Sequence, residues 1–299
     1  MIKNHSTLLK HSEFRDSIKI LNEGIQAANP KVCLEPFFSK NRIKIKRSVI
    51  NLNQFDDVYI IAIGKASDVM AKFVSKKVNF RHGLVVMPSN YKSVFSNKKF
   101  QFIKSGHPLP NKQSVKAAKY LESLLTNTKK NDFVIFLISG GGSALVSHPM
   151  GISLTQKIAV NKKLIHCGAN INEISCVRKH LSEIKGGRLL QKMNCSGVSL
   201  VMSDVIGDDL SSISSGITYA DNTTFLESIK ILKKYKIYSK VPKDAINVLE
   251  MGRKKKFLET PKKPIIKNVI KVLEMGRKKK FAETPKKPII KNVIIGNNY

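Results

Sequence analysis

Three short stretches place the residue types of anion chemistry directly behind apolar runs. In the first, Phe133–Ile138 (FVIFLI) stops at Ser139, and Gly140, Gly141 and Gly142 lead into Ser143-Ala144-Leu145-Val146, which can open a helix. Successive glycines let several backbone N–H groups converge on an anion, and a following helix adds its partial positive charge. In the second, Val58–Ile63 (VYIIAI) breaks at Gly64-Lys65-Ala66-Ser67. A lysine there suits a phosphate as a point charge, although a lone lysine also reads as a solvated one. In the third, the run 198–202 ends at Ser203-Asp204. An acidic residue at a strand's carboxyl end lies where open α/β sheets keep their chemistry.

Other candidates are less sharply placed. His107 sits in the stiff loop 105–111 (SGHPLPN), where it either faces a site or caps a turn. Arg178, Lys179 and Arg188 fall in VRKHLSEIKGGRLL (177–190), read either as a basic helical surface or as lining for an anionic substrate. The glycine loop is not a P-loop, because no Gly-Lys-Ser/Thr follows it. Nor is it the dinucleotide fingerprint G-x-G-x-x-G, since Leu145 stands at the third glycine. No metal ligands are assigned. Cys33, Cys167, Cys176 and Cys195 form no CxxC pair, and the seven histidines do not cluster with them.

Positioning such groups takes a sizeable fold, and 299 residues with 42% hydrophobic content suffice for one large or two ordinary domains. Apolar runs long enough to span a membrane and an apolar leader are both missing from the sequence, which predicts a cytoplasmic protein without membrane contact. The net charge of +32 raises nucleic-acid binding. Against it, 45 lysines face only 8 arginines, and the lysines are scattered without interleaved aromatics. No specific nucleic-acid partner is therefore expected.

The elements alternate. Helical spacing marks 12–29, 68–78, 114–125, 153–167, 171–181 and 225–235. Strands are expected at 41–50, 58–63, 83–87, 100–104, 133–138 and 198–202, with Asp221-Asn222-Thr223-Thr224 capping the helix after them. This pattern predicts an α/β fold, a three-layer Rossmann-like domain with a mainly parallel sheet over residues 1–240. Residues 241–299 read as an irregular basic tail with 16 basic and 5 acidic residues. Within it, 248–270 and 272–294 are a tandem duplication of period 24 that differs only at Leu258 and Ala282. Two near-identical copies are expected to pack poorly, because one fold offers one place for this sequence.

Taken together, IGKAS (63–67), GHPLPN (106–111), LISGGGSAL (137–145), VRKHLSEIKGGRL (177–189), SDVIGDDLSSISSG (203–216) and DNTT (221–224) resemble the glycerate 2-kinase family, often labelled hydroxypyruvate reductase. The resemblance implies phosphoryl transfer from ATP, with Mg2+, to the 2-hydroxyl of D-glycerate. It matches Lys65 and Asp204 to the family's catalytic lysine and aspartate. It gives Ser139, Gly140, Gly141, Gly142 and Ser143, with His107, Arg178, Lys179 and Arg188, phosphate or substrate contacts. The family's usual Ser-Gly-Pro-Thr reads Ser215-Gly216-Ile217-Thr218 here, and His148 stands in a loop that is more often apolar. The resemblance also implies truncation before a second domain and impaired activity, with a separate chain as one source of that domain. Two competing readings are an NAD(P)-dependent hydroxypyruvate reductase and a basic binding protein without catalysis.

Overall fold

The computed structural model describes residues 4–205 and 207–262 and the backbone of 292–296. Helices α1 (His5–Leu8), α2 (Ser12–Ala27) and α3 (Pro30–Leu34) open the chain. A small antiparallel sheet follows, made of β1 (Phe38–Ser39), β2 (Arg42–Ile45) and β3 (Ser48–Asn51). The single strand expected at 41–50 is thus a hairpin. Lys46, at φ 53°, makes its turn without the glycine or asparagine that would have signalled one.

The main sheet is built from β4 (Val58–Ile63), β5 (His82–Pro88), β6 (Phe100–Ser105), β7 (Phe133–Ile138), β8 (Ser196–Met202) and β9 (Asn292–Gly296), with α4 (Ser67–Val74), α5 (Lys112–Thr126) and α6 (Gly142–Leu145) between strands. All pairings are parallel, in the order β6-β5-β4-β7-β8-β9. Strand order reverses between β4 and β7, because the chain first builds outward through β5 and β6 and then returns to add β7 and β8. Crevices outside strand carboxyl ends at such a reversal are the usual ligand position of open α/β sheets.

Unalternating apolar strands are explained by burial on both faces. On β7, Phe133, Ile135 and Leu137 join one core with Met70 and Val74 of α4, while Val134, Phe136 and Ile138 join the other with Ala117 and Leu121 of α5. Burying a Leu, Ile or Phe side chain contributes about 1.5–3 kcal/mol, so burial on both faces holds this central strand firmly.

A third core lies in α7 (Leu154–His166), α8 (Ile171–His180), α9 (Phe225–Lys234) and α10 (Lys243–Arg253). Thr224 caps α9, accepting from the Glu227 N–H. The packing does not break at residue 240. Val248 and Leu249 of α10 are buried with Phe225 and Ile229 of α9, and Thr260 is buried too. The described chain uses the front of the first repeat copy for α10, and β9 takes its start from the end of the second. Of the two copies expected to pack poorly, 248–270 and 272–294, residues 263–291 lie outside the described residues.

Candidate active site

The turn after β4 and the loop after β7 are stapled together. The Lys65 N–H donates to the Gly140 carbonyl at 2.9 Å, and the Ala66 N–H donates to Ser139 Oγ at 3.1 Å. Lys65 is exposed, so its ammonium stays in solvent while its backbone is locked by the neighbouring loop.

Across the loop stands Asp204, exposed and just beyond β8. It packs so closely on Gly140 that a Cβ there would overlap the carboxylate. Gly141 has φ +87°, and its missing Cβ would lie 2.9 Å from His107 Cδ2 and 3.5 Å from Lys65 Cγ. Only glycine gives the loop both that backbone and that closeness. Lys65, His107, Gly140, Gly141 and Asp204 therefore meet at the carboxyl edge of four strands. Burial, then the nearby Lys65 charge, holds the His107 pKa below its ordinary value, with Asp204 acting the other way. The imidazole is thus kept neutral near pH 7, able to donate at one nitrogen and accept at the other.

The far side of the loop is held by serines. Ser214 Oγ donates to the Ser139 carbonyl at 3.2 Å, and the Ser143 and Ser215 hydroxyls are 2.7 Å apart. Ser214 and Ser215 have φ of 51° and 56°, conformations that side chains adopt only under constraint. The constraint is visible. Gly186 and Gly187 donate backbone N–H groups to the Ser215 and Gly216 carbonyls at 3.0 and 2.8 Å. The Gly-Gly break in the basic segment thus serves as a clamp on the serine turn.

Of the basic candidates, Arg178 alone lines a pocket beside Ser143 and Ser215. Lys179 turns away to a buried ion pair, its Nζ 2.8 Å from Asp221 Oδ1, with 3% and 1% of the two side chains exposed. Burial opposes a charge on Asp221, yet Lys179 and hydrogen bonds from Thr223 hold its pKa below the usual carboxylate range. Arg188 donates to the Leu258 carbonyl at 2.8 Å and lies over the Phe225 ring. His148, the unusual loop residue, is 2.6 Å from Glu122, and Lys192 is that carboxylate's second partner.

Comparison with known proteins settles the family. Residues 16–250 match the domain described as Domain of unknown function (DUF4147). The chain belongs to that family. This DUF4147 chain is 36% identical over 254 residues to a protein of Pyrococcus horikoshii named Glycerate 2-kinase, covering 83% of this chain and 56% of that one. A relative from Agrobacterium vitis, 39% identical over 208 residues and covering 68% of this chain and 45% of its own, is named as a hydroxypyruvate reductase. A crystal structure of a Pyrococcus horikoshii OT3 protein superposes with a TM-score of 0.80 at 33% identity, covering 94% of this chain and 59% of that one. The DUF4147 chain spans about half the length of the curated relatives it matches. The resemblance read from the motifs and the α/β fold both hold.

Three features escaped the sequence reading. Lys157 and Lys185 are buried beside Arg178, and Glu259 reaches back to His180 at 3.2 Å. A lysine at helical spacing from Val160 and Leu164, on the buried stripe that also holds Asn161, was the available signal for Lys157. No local signal links Glu259 to His180, which are 79 positions apart.

Proposed function

We propose that this chain carries the catalytic edge of an ATP-dependent kinase that converts D-glycerate to 2-phosphoglycerate. The observation that supports it most is the shared border of Lys65 and Asp204 on Gly140 and Gly141, at the reversal point of the sheet. Phosphoryl transfer is mainly positioning and charge neutralisation, and this edge offers both. The glycine N–H groups hold phosphate oxygens, and the Lys65 ammonium offsets their charge. Asp204 orients the acceptor hydroxyl and takes its proton as the oxygen attacks. His107, kept neutral, hydrogen-bonds a phosphate or hydroxyl oxygen without adding charge. Magnesium, bound with the nucleotide, would neutralise phosphate charge.

The name of the Agrobacterium vitis relative favours a second reading, hydroxypyruvate reduction with a nicotinamide cofactor. Leu145 in place of a third glycine speaks against it. One assay separates the two. The chain is supplied with ATP, Mg2+ and D-glycerate while 2-phosphoglycerate is followed, and in parallel with NADH, NADPH and hydroxypyruvate while nicotinamide absorbance is followed. Slow formation of phosphorylated product that vanishes in Lys65→Met is the expected outcome. Loss of nicotinamide absorbance without any phosphorylated product overturns the kinase reading.

A further inference from the structure

Behind the glycine loop lies a lysine that the chemistry at Lys65 and Asp204 does not use. Lys185, in the segment after α8, is 2% exposed, and its Nζ donates to the Gly142 carbonyl at 3.2 Å. With Lys157, Arg178, Ser143 and Ser215 it lines a space with room for about one water, about 10 Å3. No ligand group fits there. Lys185 therefore acts on a ligand only through the loop itself.

What it acts on is a set of backbone donors. The N–H groups of Gly140, Gly141, Gly142 and Ser143 have no acceptor among the described residues. Buried or half-buried N–H groups are rarely left so, and four in succession suit an anion. Each is aimed by the carbonyl of the residue before it, because the C=O and N–H of a trans peptide unit point opposite ways. Ser214 Oγ holds the Ser139 carbonyl, and the Lys65 N–H holds that of Gly140. The Ala144 N–H holds the Gly141 carbonyl at 3.1 Å, and the Val146 N–H shares that of Gly142 with Lys185.

We propose that Lys185 is a positioning residue, whose hold on the Gly142 carbonyl aims and polarises the Ser143 N–H toward an anion on the loop. This role rests on the kinase reading, in which the loop holds phosphate oxygens. Without Lys185, only the bond from Val146, within one short turn, sets the direction of that peptide unit. A cationic donor from a distant segment fixes it more firmly and draws electron density from the amide, so the opposite N–H donates more strongly. Burial, then Lys157 and Arg178, holds the Lys185 pKa well below its ordinary value. An anion across the loop favours the charged lysine, which couples the two. A buried ammonium is costly, and an apolar side chain usually serves an interior at least as well, so packing alone does not account for this lysine.

The full chain, isotope-labelled at glycine and serine nitrogens, is titrated with inorganic pyrophosphate and followed by amide NMR signals and calorimetry. In the parent, the Gly140, Gly141, Gly142 and Ser143 signals should move downfield as pyrophosphate binds. Lys185→Met should weaken binding about fivefold and shrink the Ser143 movement most, with an unchanged or higher melting temperature. A merely structural lysine would lower melting temperature and binding together. Lys185→Gln, which keeps a donor of shorter reach, should fall between the two and serves if Lys185→Met does not fold. Lys157→Met removes a neighbouring charge without touching the carbonyl and should leave binding unchanged. Absent binding, or binding that moves none of the four amides, overturns the assignment of the loop to phosphate, and the role of Lys185 falls with it. Amides that respond equally in the parent and in Lys185→Met overturn the role of Lys185 alone. Equal weakening by Lys157→Met makes the effect one of general charge and overturns that role too.

Discussion

Two lysine–aspartate combinations in this molecule have the same chemistry and opposite surroundings. Lys179 and Asp221 are buried together in direct contact. Lys65 and Asp204 are exposed, held apart on either side of a glycine loop. In the first, desolvation makes each charge dependent on the other, so the pair locks α8 to the segment before α9. In the second, water and the open edge leave both charges available to a ligand, while backbone hydrogen bonds fix where they stand. The same residue types thus hold a fold together in one place and stay open to solvent in the other, and burial decides which.

The sharpest way to break this contrast is Lys179→Met. It leaves Asp221 buried with only hydroxyl and amide partners, and stability should fall by about 3–5 kcal/mol. Denaturant unfolding measures it, and a loss below about 1 kcal/mol would put the buried pair on the same footing as a surface one. Lys65→Met should do the reverse. Turnover in the glycerate assay should fall at least 100-fold, about 2.7 kcal/mol of barrier, with an unchanged unfolding midpoint. Turnover within about tenfold of the parent would remove Lys65 from the chemistry.

Asp204→Asn sharpens the exposed half. A carboxylate acting on the acceptor hydroxyl works chiefly in the transition state, so turnover should drop more than nucleotide affinity. Lost affinity at an unchanged rate would instead make Asp204 a magnesium or structural residue. Gly140→Ala should cost about tenfold in turnover, or 1.4 kcal/mol, because the methyl group displaces the Asp204 carboxylate. Full activity in that variant would show that their close approach is not needed.

The last effect concerns pH and the buried side. Burial opposes a charge on His180, but hydrogen bonds to the Cys176 carbonyl and Glu259 raise its pKa to about 9. The folded pKa lies above the unfolded one, near 6.5. The stabilisation is therefore complete below that lower value and disappears as pH rises through about 9. Melting temperatures of the parent and His180→Gln, compared across that window, should converge as pH rises. A constant gap would show that His180 is held neutral.

Much of the loop edge was legible in the sequence because its cues are local. An apolar run ending in Gly140-Gly141-Gly142, another ending in Gly64-Lys65, and a third ending in Ser203-Asp204 each carry strand, stop and functional group within a dozen residues. The basic segment 177–190 was less transparent. Helical spacing located α8, yet it could not say that Arg178 turns to a pocket while its neighbour Lys179 turns to Asp221. Consecutive helix positions point about 100° apart, and what each meets depends on elements distant in the chain. The division at residue 240 was drawn from composition. Charged residues in 241–262 lie among side chains that pack against α9, and a count of lysines does not see which face of α10 is apolar.

By itself, the sequence determined the alternation of strands and helices, the glycine-bearing strand ends and the family, because periodicity and turn chemistry act between near neighbours. The tertiary structure decided which charges stay in solvent and which are sealed. It brought Lys65 to Gly141 and Asp204 to Gly140 by reversing strand order, and it sealed Lys179 against Asp221. It also left Lys157 buried beside Arg178 and Lys185. Whether a charge is solvated, paired or held in reserve depends on the dielectric and partners that non-local packing supplies, and no local pattern of residues encodes those.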